Sequence, residues 1–225
     1  MAAPRQQRQP KRKRHNVLST VLLIVGVALL VTAGVLYARA QAEYAANAAN
    51  NEKLAAYATV SDDPADNGCP VSVDWDGLRA VNDDITGWLY IPGTHVDYPV
   101  YQGDTNNEYL RTTASGEYSV GGQIFMDCDN ARPGLVDRQT IIYGHHLNDG
   151  SMFADIDEFA NQDGLNSFSS IWYVTPDAAY ELEPLLFYKA AATEAEARSI
   201  AFASDDDFHT YLKGLLARAS ASATD

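Results

Sequence analysis

Residues Val17–Ala38, VLSTVLLIVGVALLVTAGVLYA, run for about 22 positions without a charge. At about 1.5 Å per residue such a run crosses a hydrocarbon core of roughly 30 Å. In lipid every backbone polar group has to be satisfied within the segment, so the run is expected to be a helix. Arg5, Arg8, Lys11, Arg12, Lys13 and Arg14 precede it, Arg39 follows it, and no acidic residue occurs before Glu43. That asymmetry predicts a cytoplasmic basic tail over 1–16, a membrane span over 17–38 and the remainder outside the cell membrane. The alternative is a secretory signal cleaved after Ala40 or Ala42. Signal h-regions run to roughly 7–15 residues, so the longer stretch here is read as an uncleaved single-pass anchor in contact with membrane lipid.

The chain's net charge is −14, and nearly all of the acid lies beyond the anchor. An acidic body argues against nucleic acid as a partner, because phosphate binding requires a basic face. Two cysteines, Cys69 and Cys128, are too far apart in sequence to define a pattern. A disulfide and two unpaired thiols both remain open.

After the anchor, Arg39–Val60 is rich in alanine and reads as a helical stalk. Ser61–Pro70 is dense in turn residues and reads as a hinge, giving a stalk and hinge over 39–70. The body over 71–225 opens with a helical pattern, Asp74–Ile85, for which Asp74 is a candidate N-cap. Thr86–Gly93 and Thr94–Gln102 read as strands joined by a Pro-Gly turn. Pro99 implies an edge strand or a bulge in the second. Gly122–Asn130 and Thr140–Tyr143 read as further strands, the latter with a buried, β-branched profile. Ser151–Ala160 reads as a short helix capped by Ser151, and Ser169–Thr193 as a hairpin. Ser204–Ser222 reads as a helix with Phe208, Tyr211, Leu212 and Leu215 inward. Many short strands with few helices predict a mixed, mainly β fold, a largely antiparallel sheet closed into a barrel.

Two of the chain's five histidines are adjacent, in TIIYGHHLNDGSMF, Thr140–Phe153. An apolar run stops at Gly144, and His145 follows at the strand end. An imidazole there is rigid on one side, open on the other, and titrates near neutral pH. By its residues alone, the stretch reads first as a polar turn with a solvated or capping histidine. Shared metal binding by His145 and His146, with Asp127, Cys128 or Asp129, is disfavoured, since neighbours on an extended chain point to opposite sides. No metal or other cofactor is expected.

DITGWLYIPGTHVDYPVYQGDTNNEYL, GGQIFMDCDN and TIIYGHHLNDGSMFADIDEF, in this order and spacing, closely resemble class B sortases of Gram-positive bacteria. The resemblance runs from about Asp74 to the chain end. It implies a membrane-bound cysteine transpeptidase with a sortase-like closed β-barrel. Its partners would be surface proteins bearing a C-terminal sorting signal, and an amine acceptor from a cell-wall precursor or a pilin. By motif match the catalytic histidine falls on His145, and substrate-groove positions fall on Asn106, Leu110 and Tyr143. The family's nucleophile lies in a Thr-Leu-x-Thr-Cys strand, with an arginine on the next strand. Neither motif occurs here, and neither Cys69 nor Cys128 matches the nucleophile. The expectation is therefore a domain whose last strands are missing and a chain without transpeptidase activity. The alternatives are a peptide-binding surface protein that does no chemistry, and, less favoured, a metal-binding one.

Overall fold

The computed structural model describes residues 17–61, 68–168, 170–191, 193–194 and 196–223. The chain forms two compact units, Met1–Ala42 and Glu43–Asp225. In the first, the described residues are all helix, the beginning of α1 (Val17–Ala55). Its apolar side chains, among them Leu22, Leu29 and Leu36, are exposed on every side. A helix without a polar face has nothing to bury in water and suits a hydrocarbon surround. It is long and apolar enough to cross a membrane.

The second unit begins with the last turns of α1. Asn47 and Leu54 are buried there, and the Ser119 hydroxyl donates to Asn47 Oδ1 at 2.8 Å. Strand β1 (Ala58–Val60) pairs antiparallel with β2 (Val71–Val73). Most of the segment read as a hinge, 62–67, lies outside the described residues. Helix α2 (Trp75–Val81) starts where sequence places it: the Asp74 carboxylate accepts from Gly77 N at 3.0 Å.

Strands β3 (Ile85–Tyr90), β4 (Asp97–Tyr101), β5 (Ile124–Met126), β6 (Ile142–Tyr143), β7 (Ile171–Val174) and β8 (Ala179–Leu182) form one sheet in the order β6-β5-β4-β3-β7-β8. All neighbours are antiparallel except β4 and β5. The sheet curls into a half-barrel. The mainly β, barrel-type sheet expected from sequence, with its last strands missing, is thus present as a half-barrel whose edges among the described residues are β6 and β8. Its interior strands are buried on both faces. Leu89, Val100, Ile124 and Tyr173 join one apolar cluster, while their chain neighbours Trp88, Tyr101, Phe125 and Trp172 join another. Successive strand residues point to opposite faces, so these strands read as continuous apolar runs. Each fully buried large side chain contributes about 1.5–3 kcal/mol.

Several local expectations are corrected. Pro99 is not on an edge strand: β4 is flanked by β3 and β5. It is tolerated because the β5 ladder begins one residue later, at Val100, and the facing strand is bulged between Ile85 and Gly87. Ile142 and Tyr143 are half-buried, as befits an edge strand. Ser151 does not cap a helix. Its hydroxyl donates to Asp149 at 2.7 Å, and a 3-10 turn starts later, at Ala154–Ala160. Asn161 caps α3 (Gln162–Ser167), a helix too short for its periodicity to show in sequence. The second half of the expected hairpin breaks at Pro184. Beyond it, β9 (Leu186–Phe187) pairs with β10 (Ala221–Ser222) instead. Helix α4 (Asp205–Leu216) is capped by Ser204, and of its expected inward residues only Leu215 is fully buried.

Candidate active site

The edge strand β6 delivers the central histidines. Gly144 follows it because nothing larger fits: a Cβ there would lie 2.4 Å from Ile124 Cδ1 and 2.6 Å from the Phe153 ring. This close approach seats the Tyr-Gly-His turn on β5. Phe153 N donates to His145 O at 2.8 Å, tying the turn to the Gly-Ser-Met-Phe segment. The two imidazoles then diverge. His145 donates Nε2–H to the backbone carbonyl of Leu110 at 2.8 Å. His146 reaches Asp157 Oδ2 at 3.0 Å, on the far side of the turn. Since a carbonyl only accepts, the His145 contact fixes its tautomer with the proton on Nε2 and leaves Nδ1 as an acceptor.

His145, Tyr143, Asn106 and Leu110 line one groove of about 300 Å³, so the four residues singled out by motif come together in space. Asn107, Phe125, Gly144 and Arg198 complete its walls. The loop carrying Asn106 and Leu110 is held from below. Gln123 N donates to Tyr109 O at 3.0 Å, and the Tyr109 hydroxyl donates to Asp84 at 2.6 Å.

Behind the groove lies Asp127, only 4% exposed. Its Oδ2 accepts from the Tyr143 hydroxyl at 2.6 Å and from Asn106 Nδ2 at 2.9 Å, while Oδ1 accepts from Asp129 N at 3.0 Å. The Asn106 carbonyl in turn accepts from Cys128 N at 2.8 Å. The Tyr143 phenol is pushed well above its ordinary value, first by burial and then by its bond to the Asp127 carboxylate. It is therefore a neutral hydroxyl with its proton committed to Asp127. What it offers the groove is oxygen lone pairs.

The Sortase domain family matches residues 89–170. Sortase B of Listeria monocytogenes is 36% identical over 136 residues, 60% of this chain and 54% of that protein. Sortase B of Staphylococcus aureus is 33% identical over 138 residues, 61% of this chain and 56% of that protein. The solved Listeria monocytogenes sortase B superposes with a TM-score of 0.60 at 32% identity, covering 68% of this chain and 86% of that one. The Staphylococcus aureus sortase B–substrate complex gives 0.62 at 30%, covering 67% and 69%. The chain belongs to the class B sortases. It spans about half the length of the curated relatives it matches, 54% and 56%.

In this class B sortase neither cysteine lines the groove. Cys69 is buried at 3% exposure and its thiol donates to Val71 O at 3.4 Å. Cys128 is half-buried, and the two are not joined in a disulfide. The ligand atoms of Asp127, Cys128 and Asp129 lie within 4.8 Å of one another, but neither histidine belongs to that cluster. The Asp127 carboxylate is already committed to three donors. Sequence reasoning weighed Asp127 only as a metal ligand and did not single out Arg198.

Proposed function

We propose that this chain binds a C-terminal sorting-signal peptide outside the cell membrane, as part of a class B sortase-type cysteine transpeptidase. The observation that carries the reading is the convergence of His145, Tyr143, Asn106 and Leu110 on one groove. An open groove flanked by a sheet edge suits an extended peptide, whose backbone offers both donors and acceptors. Tyr143 presents an acceptor oxygen, and Leu110, 38% exposed, presents an apolar surface. His145 is the proton-transfer residue: its Nδ1 is free to accept among the described residues. In the full reaction a thiolate attacks the threonine carbonyl, the peptide bond that follows it breaks, the C-terminal segment leaves as an amine that takes up a proton, and the threonine acyl group is held as a thioester. An amine then displaces the thiol. The complex of the Staphylococcus aureus relative with a substrate supports a peptide donor, and that of a sortase B with triglycine supports an amine acceptor. The apolar helix supports a single-pass anchor, and the basic residues before it support an inward N-terminus.

The transfer itself requires a thiolate in the groove. Because neither Cys69 nor Cys128 lines it, these 225 residues by themselves bind peptide without turning it over. The test uses the full chain in detergent with a fluorogenic sorting-signal peptide and triglycine as the amine. Binding without release of the fluorophore is expected. Turnover abolished by both His145→Ala and Cys128→Ala would overturn the binding-only reading. Absence of any peptide binding would overturn the groove assignment.

A further inference from the structure

We infer that Arg198 makes this groove selective for peptides that carry a carboxylate side chain within the bound segment. The inference rests on the groove's being a peptide site.

Arg198 lies in a short 3-10 turn, Glu196–Arg198, and is exposed where it lines the groove beside Tyr143 and His145. It is the sole Lys or Arg between Lys189 and Lys213, in a stretch that carries Glu194, Glu196 and Asp205–Asp207. Other arginines of this region are spoken for: Arg138 pairs with Asp205, and Arg218 with Glu194. Arg198 has no carboxylate partner among the described side chains, of which Glu196 is not one. Its charge reaches the groove floor, where it opposes the upward push on the Tyr143 phenol.

The walls sharpen this. The chain has 30 acidic residues against 16 lysines and arginines, yet among the described residues no carboxylate lines the groove. Asp127 is buried behind Tyr143 and Asn106, and its Oδ2 accepts from both of them. A ligand therefore meets one guanidinium, one imidazole, two asparagine amides and apolar surface. A guanidinium with a fork of five donors is shaped for bidentate contact with a carboxylate. A peptide lysine would meet an unpaired like charge. Charge complementarity of this kind sets specificity more than raw affinity.

The experiment is a binding array on the full chain in detergent. Octapeptides with a fixed threonine carry Glu, Gln or Lys scanned through every other position, and hits are measured by fluorescence polarisation. Glu is expected to bind about two- to fivefold tighter than Gln at one position or two adjacent ones, the range of a partly exposed ion pair. Raising the salt should erode the preference. Arg198→Gln should abolish the Glu-over-Gln preference, and Arg198→Glu should reverse it toward Lys. Equal binding of Glu and Gln peptides by the wild type overturns the inference and leaves the peptide site standing. So does an unchanged preference in Arg198→Glu. No binding by any peptide overturns both.

Discussion

The Tyr143 hydroxyl donates to the buried Asp127 carboxylate at 2.6 Å, and the same carboxylate oxygen accepts from Asn106 Nδ2 at 2.9 Å. One acid thus positions two groove walls that come from different parts of the chain. Asp127→Asn preserves shape but keeps a single acceptor oxygen: turned toward Tyr143 and Asn106 it leaves Asp129 N facing the amide nitrogen, and turned the other way it leaves both of their donors unaccepted. Hydrogen bonds to charged groups are worth about 1.5–3 kcal/mol, and a loss of about that size is expected in urea denaturation. Peptide affinity should fall as well, because Asn106 and Tyr143 are no longer fixed. Wild-type affinity in a destabilised Asp127→Asn protein would show that Asp127 supports only the fold.

Gly144 admits no side chain. A methyl group there would overlap Ile124 and Phe153, at 2.4 and 2.6 Å. Overpacking of this kind costs about 1–3 kcal/mol. Gly144→Ala should lower the thermal midpoint and displace His145 from Leu110. The displacement is checked by NMR through the His145 ring signals.

The parts of the fold that sequence discloses are those governed by local chemistry. Asp74, the candidate cap, does cap its helix because its carboxylate meets the Gly77 N–H within the first turn. The long apolar helix follows from its uncharged run of residues alone. Long-range order is less legible. The tolerance of Pro99 depends on where β5 happens to join, and Ser151 is drawn off by Asp149 through a side-chain contact that competes with capping. The groove shows the same division. His145, Asn106, Leu110 and Tyr143 are identified through a motif, whereas Asp127 acts on partners 16 and 21 residues away. No periodicity links them. Arg198 enters from a turn far along the chain, where sequence shows only a solitary cation among acids.

Asp97 supplies a pH test of the fold. Burial raises its carboxyl above the ordinary value, and a 2.6 Å hydrogen bond from Trp88 Nε1 only partly offsets this. A carboxyl raised on folding binds its proton more tightly in the native state. Its contribution to stability is therefore present at low pH and declines as pH rises through the window that opens near 3.8. Asp97→Asn retains an acceptor for Trp88 and cannot ionise. The midpoint of Asp97→Asn relative to wild type should therefore be higher at about pH 7 than at about pH 3.5. Calorimetry at the two values checks this, and an equal or opposite difference would contradict the assignment.

The adjacent histidines provide the sharpest contrast, because they differ in direction rather than chemistry. His146 is exposed and its side chain pairs with Asp157, itself more than half exposed. Surface pairs of this kind are worth about 0–1 kcal/mol. His146→Ala should therefore shift stability by no more than that and leave peptide binding unchanged. His145 lines the groove and bonds the backbone of Leu110, whose side chain is another wall. His145→Ala removes contact surface and frees that loop, so peptide affinity should drop severalfold with stability changed by about 1 kcal/mol or less. Isothermal titration of both variants with one peptide decides the matter. Equal losses would mean that the turn matters as a whole and that His145 has no separate place in the groove.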